Sequence, residues 1–293
     1  MLIDTHCHIH DPQYNFDAKT TLARAHAAGV NKIVVIGTFP EDNLIAQQFA
    51  ESHDDVYWSY GAHPWEYARA GGEEIDFLEH RVSPVKNNII TGESEGELAR
   101  MTPLRTIRSH DEDLATRPVT TGPRSVSAKG LSRKLVAIGE IGLDYHYQPY
   151  DRGQQIKLFE QMLQLVEKHD LPVIFHVRKA FDDFWPIVDN AKIKHAVLHS
   201  FSDNQSNLNQ AIKRGLYIGV NGLVTFTNVP LPPLESMILE TDAPYLTPKP
   251  FRGKINEPSY VKNIAEWVAD KLNVPFSTVA TQTTANATKL FNL

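Results

Sequence analysis

Only one cysteine, Cys7, occurs in the 293 residues, so an internal disulfide framework is excluded and a reducing compartment fits. There is no run of eighteen consecutive apolar residues of the kind that crosses a bilayer. The opening "MLIDTH" lacks the basic start, apolar middle and cleavage site of a secretory leader. The expectation is a cytoplasmic protein without a membrane partner. Basic excess is also missing: 29 Lys plus Arg stand against 35 Asp plus Glu, a formal net charge of -6. That balance argues against a protein that coats nucleic acid, but leaves room for a nuclease that captures a strand end. Phe, Trp and Tyr are absent from Leu78 to Asp144, and within that stretch residues 84–133 are rich in Ser, Thr, Gly, Pro and charge. Such a segment cannot bury enough apolar surface for a core of its own and reads as a flexible insertion.

What is present is a hydrophobic content of 42% in a chain long enough for one large α/β barrel. Eight short apolar or β-branched runs read as strands, at 2–8, 32–37, 56–63, 134–144, 171–177, 195–201, 216–222 and 237–242. Helical spacing appears between them at 17–29, 41–53, 151–170 and 204–215. Alternation of this kind implies parallel strands joined by crossover helices. Eight strands imply a (β/α)8 TIM-type barrel over 1–293, with the insertion following strand 3. Between strands 7 and 8, residues 225–236 carry three prolines and no helical pattern, so the seventh outer helix is expected to be missing.

The unusual residue is histidine, 13 in all, three of them within "HCHIH". In a strand His6 and His8 point to one face while Thr5 and Cys7 point to the other. Barrel enzymes place their sites at the C-terminal ends of the strands. There the sequence places His6 and His8 on strand 1, Glu140 on strand 4, His176 on strand 5, His199 on strand 6 and Asp242 on strand 8. Four imidazoles and two carboxylates suit Zn²⁺, Mn²⁺, Fe²⁺ or Co²⁺, or Mg²⁺ in a watery site. Six ligands exceed what one tetrahedral ion needs, and two divalent ions sharing a carboxylate fit better. His10, His26, His53, His80, His110, His146, His169 and His195 lack this placement and read as surface or structural residues.

Five further positions have two readings each. His63, ending strand 3, either orients substrate or water, or packs on Pro64 and Trp65. Asp144 and Tyr145 either fix a ligand histidine, or are a capping aspartate and a packed ring. Arg178 and Arg252 either bind a phosphate in forked geometry, or are solvated loop arginines.

Taken together, "IDTHCHIH", "GAHPW", "AIGEIGLDY", "LPVIFHVRKA", "LHSFS", "ILETDAPYL" and "RGKINEPSY" resemble the TatD-related metal-dependent DNases of the amidohydrolase superfamily. The resemblance runs in order over 1–80 and 134–293. It implies a binuclear site in which His6 and His8 bind one ion, His176 and His199 bind the second, and Glu140 bridges. Asp242 would bind the first ion and take a proton from the attacking water. The implied activity is cleavage of phosphodiester bonds at a DNA end, as a 3′–5′ exodeoxyribonuclease, with two Mg, Mn or Zn ions. D-aminoacyl-tRNA deacylation, or another ester or amide hydrolysis, is the alternative chemistry for the same ligands. A catalytically impaired metal-binding scaffold is a third reading. The sequence departs from the family pattern at Asp203, where members usually carry glycine, in the 84–133 insertion, and in the short segment 225–236.

Overall fold

The computed structural model describes residues 1–14, 16–68 and 132–293. Most of the 84–133 insertion therefore lies outside the described residues, and the described chain resumes at Ser132. Eight strands follow in chain order: β1 (Leu2–Cys7), β2 (Val30–Ile36), β3 (Val56–Tyr60), β4 (Leu135–Asp144), β5 (Val173–Arg178), β6 (Ala196–Leu198), β7 (Tyr217–Val220) and β8 (Met237–Leu239). Each pairs in parallel with the next, and a parallel bridge between Cys7 and Ala243 brings the last strand back to the first. The result is a nearly closed TIM-type barrel, as the alternation implies. Every residue of β4 is buried, as a strand covered on both faces requires.

The four expected helices form: α1 (Ala18–Ala27), α2 (Pro40–Glu51), α3 (Arg152–His169) and, with one unexpected helix intervening, α5 (Gln205–Lys213). Their starts follow local chemistry. Asp17, Asp151 and Asn204 each accept a backbone N–H three residues on, while Pro40 occupies the first turn of α2. The intervening helix α4 (Phe181–Asn190) lacks a side-chain cap and contains Pro186. It is held instead by burial of Phe181, Phe184 and Trp185, with Phe184 5.0 Å from Phe175 and 5.8 Å from Phe159 between ring centroids. Two more helices, α6 (Val261–Leu272) and α7 (Phe276–Phe291), follow β8.

Strands β6 and β8 stop earlier than the sequence pattern suggests, because Ser200 and Asp242 adopt left-handed backbone angles, φ +47° and +59°. The chain turns there, so His199 and Asp242 sit in the loops just beyond the strands.

No α-helix joins β7 to β8, as expected; two 3-10 turns, Gly222–Thr225 and Leu234–Ser236, make the crossover. The C-terminal helix α7 packs against β1, β8 and the second turn. Its Asn286 amide donates to the carbonyls of Leu234 and Met237, at 2.7 and 2.8 Å. Ala287, Leu290 and Phe291 of α7 join Ile3, Val34, Ile36, Val136, Ile174, Val197 and Ile238 in one buried cluster.

Candidate metal centre

Pleating of β1 aims Asp4, His6 and His8 to one side. His6 is fully buried, and its neighbour Thr5 donates instead to the Leu239 carbonyl at 3.0 Å. Across the seam, the backbone N–H of Asp242 donates to His6 O at 2.8 Å and that of His8 to Ala243 O at 2.7 Å. These bonds hold the histidines beside Asp242.

Two carboxylate oxygens organise the centre. Glu140 Oε2 lies 3.3 Å from His6 Nε2, 3.6 Å from His199 Nε2 and 3.8 Å from His176 Nδ1. Asp242 Oδ1 lies 3.7 Å from both His6 Nε2 and His8 Nε2, and 3.9 Å from His199 Nε2. His63 Nε2 stands 3.5 Å from the other Glu140 oxygen. These separations are long for hydrogen bonds. They lie near the about 3.4 Å expected between two atoms bound tetrahedrally to one ion at about 2.1 Å. Among the described residues, both ring nitrogens of His6, Oε2 of Glu140 and Nδ1 of His176 are buried without a hydrogen-bond partner. Buried polar atoms left open in this way are what a cation would satisfy. Among the described residues, three groupings have ligand atoms within 4.8 Å of one another and could hold a metal ion: His6/His8/Asp242, His63/Glu140/His176 and His6/His199/Glu240.

The outward nitrogens are held. Asp144 Oδ2 lies 3.2 Å from His176 Nε2, which turns Nδ1 toward Glu140. Glu240 Oε1 lies 3.0 Å from His199 Nδ1, which turns Nε2 inward. A carboxylate behind a ligating imidazole fixes both its tautomer and its orientation. Glu240 is itself fixed by Ser200 N–H at 2.7 Å and the Asn221 amide at 3.3 Å. Asp4, buried, accepts from Thr241 N at 2.9 Å and Thr241 Oγ1 at 2.6 Å, tying β1 to the residue before Asp242. Glu240 and Asp4 were not singled out in the sequence. The available signal was an acid inside an otherwise buried apolar run, "MILETD" and "LIDTH". Tyr145 takes no part: its hydroxyl donates to Asp183 at 2.8 Å and its ring stacks on Tyr150.

Two glycines make room for this arrangement. Gly142 has φ +146°, and a Cβ there would fall 2.1 Å from the His176 carbonyl oxygen. A Cβ on Gly219 would lie 2.4 Å from Glu240 Oε2.

Charge follows contact. Burial alone would lower His176, but Asp144 and Glu140 outweigh it and raise its pKa to about 9. Burial likewise opposes a charge on His199, yet Glu240, then Asp242 and Glu140, raise it to about 10. His6 is pushed well below the ordinary range by burial and by neighbouring His199. His63 falls to about 4 through burial and the nearby His176. Glu140 is held well below the usual carboxylate range, because His176 and His63 overcome its burial.

The centre opens into a cavity of about 760 Å³ at the C-terminal ends of the strands, lined also by His63 and Arg178. Arg252 is not among the lining residues: it is exposed, with its guanidinium 3.8 Å from the Phe226 ring centroid. His10 is structural, buried with Nε2 2.9 Å from Asp42 Oδ1. Asp203 accepts from the Asn207 amide at 2.8 Å and so secures the start of α5.

Comparison with known proteins agrees with this geometry. The chain matches the TatD related DNase family over residues 3–292. It is 31% identical to an uncharacterized metal-dependent hydrolase, YabD, of Bacillus subtilis, over the whole of both chains. It is 29% identical to the 3′-5′ ssDNA/RNA exonuclease TatD of Erwinia tasmaniensis, again over the whole of both. Among solved structures, the TatD homologue YJJV of Escherichia coli superposes with a TM-score of 0.79 at 25% identity, covering 100% of this chain and 98% of that one.

Proposed function

Because this chain belongs to the TatD-related DNase family of metal-dependent hydrolases, we propose that it cleaves phosphodiester bonds at the end of a nucleic-acid strand, as a 3′–5′ exonuclease. The observation that carries the reading is the convergence of His6, His8, Glu140, His176, His199 and Asp242 on two carboxylate oxygens below an open cavity. His6, His8 and Asp242 would hold one cation, His176 and His199 a second, with Glu140 between them. Divalent cations bound there supply Lewis-acid charge that acidifies water and offsets the negative charge developing on phosphorus.

The chain's own groups do the rest. Asp242, with one oxygen among the imidazoles and its backbone fixed to His6, is the acceptor for the proton of the attacking water. Arg178, at the cavity wall, binds a non-bridging phosphate oxygen. His63, kept neutral near pH 7 by its lowered pKa, is a hydrogen-bond partner for phosphate or water beside Glu140. Glu240 and Asp144 hold the imidazoles of His199 and His176 in register.

The test is shortening of a 5′-labelled single-stranded oligonucleotide in Mg²⁺ or Mn²⁺, with EDTA as control. Metal-dependent loss from the 3′ end is the expected result. A D-aminoacyl-tRNA assayed in parallel separates this reading from deacylation. Turnover of that substrate alone would overturn the nuclease.

A further inference from the structure

The cavity wall is acidic and imidazole-rich, and Arg178 is the sole arginine or lysine lining it among the described residues. With a formal net charge of -6, the chain has little with which to hold a polyanion through its phosphates alone. A contact of another kind would add to the hold of Arg178 and the cations on a strand, and the mouth of the cavity supplies one.

Two tyrosines at that mouth are left open to solvent. Tyr147 is 57% exposed and Tyr245 49% exposed, and both line the cavity. Tyr147 follows β4 and Tyr245 follows β8, and these strands are four positions apart in the eight-stranded ring, so the rings stand on opposite sides of the opening. Each is backed by another aromatic. Trp65 lies 6.2 Å from Tyr147, and Tyr14 lies 5.7 Å from Tyr245 at 83°, with the two hydroxyls in contact. The Arg178 guanidinium is 5.0 Å from the Tyr147 centroid, and the His8 ring is 6.3 Å from Tyr245. One ring therefore borders the phosphate-binding cation, while the other borders a candidate metal ligand. Large aromatic faces held in place yet exposed beside a polar cleft are suited to stacking.

Resting on the proposed strand-end hydrolysis, we infer that Tyr147 and Tyr245 form a stacking platform for unpaired nucleobases, so that this site recognises its substrate through the terminal base as well as the phosphate. A base can lie against either ring only when unpaired, since a duplex presents its stacked faces to its own neighbours. Such stacking tolerates any base, because every base has a π-face.

The discriminating experiment compares two 5′-labelled single strands that are identical except that one carries an abasic 3′-terminal residue. Both have the same phosphates, so charge is constant and only the base differs. The metal-loaded full-length protein is expected to process the intact end about tenfold more efficiently in kcat/KM, the scale of one base–aromatic stack. In the doubly substituted Tyr147→Leu, Tyr245→Leu protein that ratio should fall toward one. Because it is a ratio measured on one preparation, partial misfolding does not alter it. Equal processing of both strands by the unsubstituted protein would overturn the platform while leaving the nuclease reading intact. An undiminished ratio in the substituted protein would overturn the assignment to these tyrosines. Failure to shorten either strand would overturn the nuclease reading, and the platform with it.

Discussion

Glu240 stands directly behind His199, with Oε1 3.0 Å from Nδ1, and so decides which nitrogen of that imidazole faces the centre. The pairing predicts that Glu240→Gln, which keeps size but removes the charge, weakens divalent-metal affinity by about 10–100-fold. Metal titration followed by calorimetry, with circular dichroism to verify the fold, measures this directly. Unchanged affinity would show that the imidazole is oriented by something else.

Glu140 lies beside His6, His176 and His199, and its loss should be felt in turnover before it is felt in folding. Glu140→Ala is expected to lower metal-dependent cleavage by about a thousandfold or more, given the several kcal/mol of charge stabilisation that metals contribute. The circular dichroism spectrum should stay near that of the unsubstituted protein. Substantial activity in the variant would remove Glu140 from the centre.

Acidity and metal should compete. Without metal, His176 with a pKa of about 9 and His199 with one of about 10 both carry a proton at pH 7. Each must release it to offer a lone pair, so metal binding expels protons and affinity rises with pH across the neutral range. Calorimetry in buffers of differing ionisation enthalpy should register about two protons released per protein at pH 7. Affinity that is flat between pH 6 and 8, without proton release, would contradict the assignment.

Gly219 leaves the space that the Glu240 carboxylate fills. In Gly219→Ala the new methyl would lie 2.4 Å from Oε2 of a side chain with 1% exposure, so the carboxylate has to move. The expected result is a destabilisation of about 1–3 kcal/mol, together with a weakened response of the melting temperature to added metal. An unaltered melting curve with and without metal would mean that the carboxylate relocates freely.

The short crossover depends on one amide. Asn286→Ala leaves the Leu234 and Met237 carbonyls without their donor and should cost about 1–3 kcal/mol, read by urea denaturation. A loss below a few tenths of that range would show that solvent replaces the amide.

Much of this architecture was legible in the residues because the signals were local and repeated. Strand runs such as "VAIGE" and "AVLH" end in a polar group at the mouth, and helical spacing marks α1, α2, α3 and α5. All six candidate ligands come together, and Asp144 lies behind His176. What escaped was nonlocal. α4 has no cap signal and exists through its aromatic packing, and Thr-rich α7 is a poor helix former held by its buried face. Glu240 and Asp4 act through partners 41 and 237 positions away in the chain, beyond the reach of any local pattern. The place of Arg252 on Phe226, away from the cavity lining, is likewise set by the fold around it.

The C-terminal helix α7 lies across the join between β8 and β1. Strands far apart in the chain are thus covered at their junction by one helix. Removal of α7 would leave every candidate ligand in the chain yet bare the apolar faces of Ile3 and Ile238, so the ring would keep its chemistry and lose its cover.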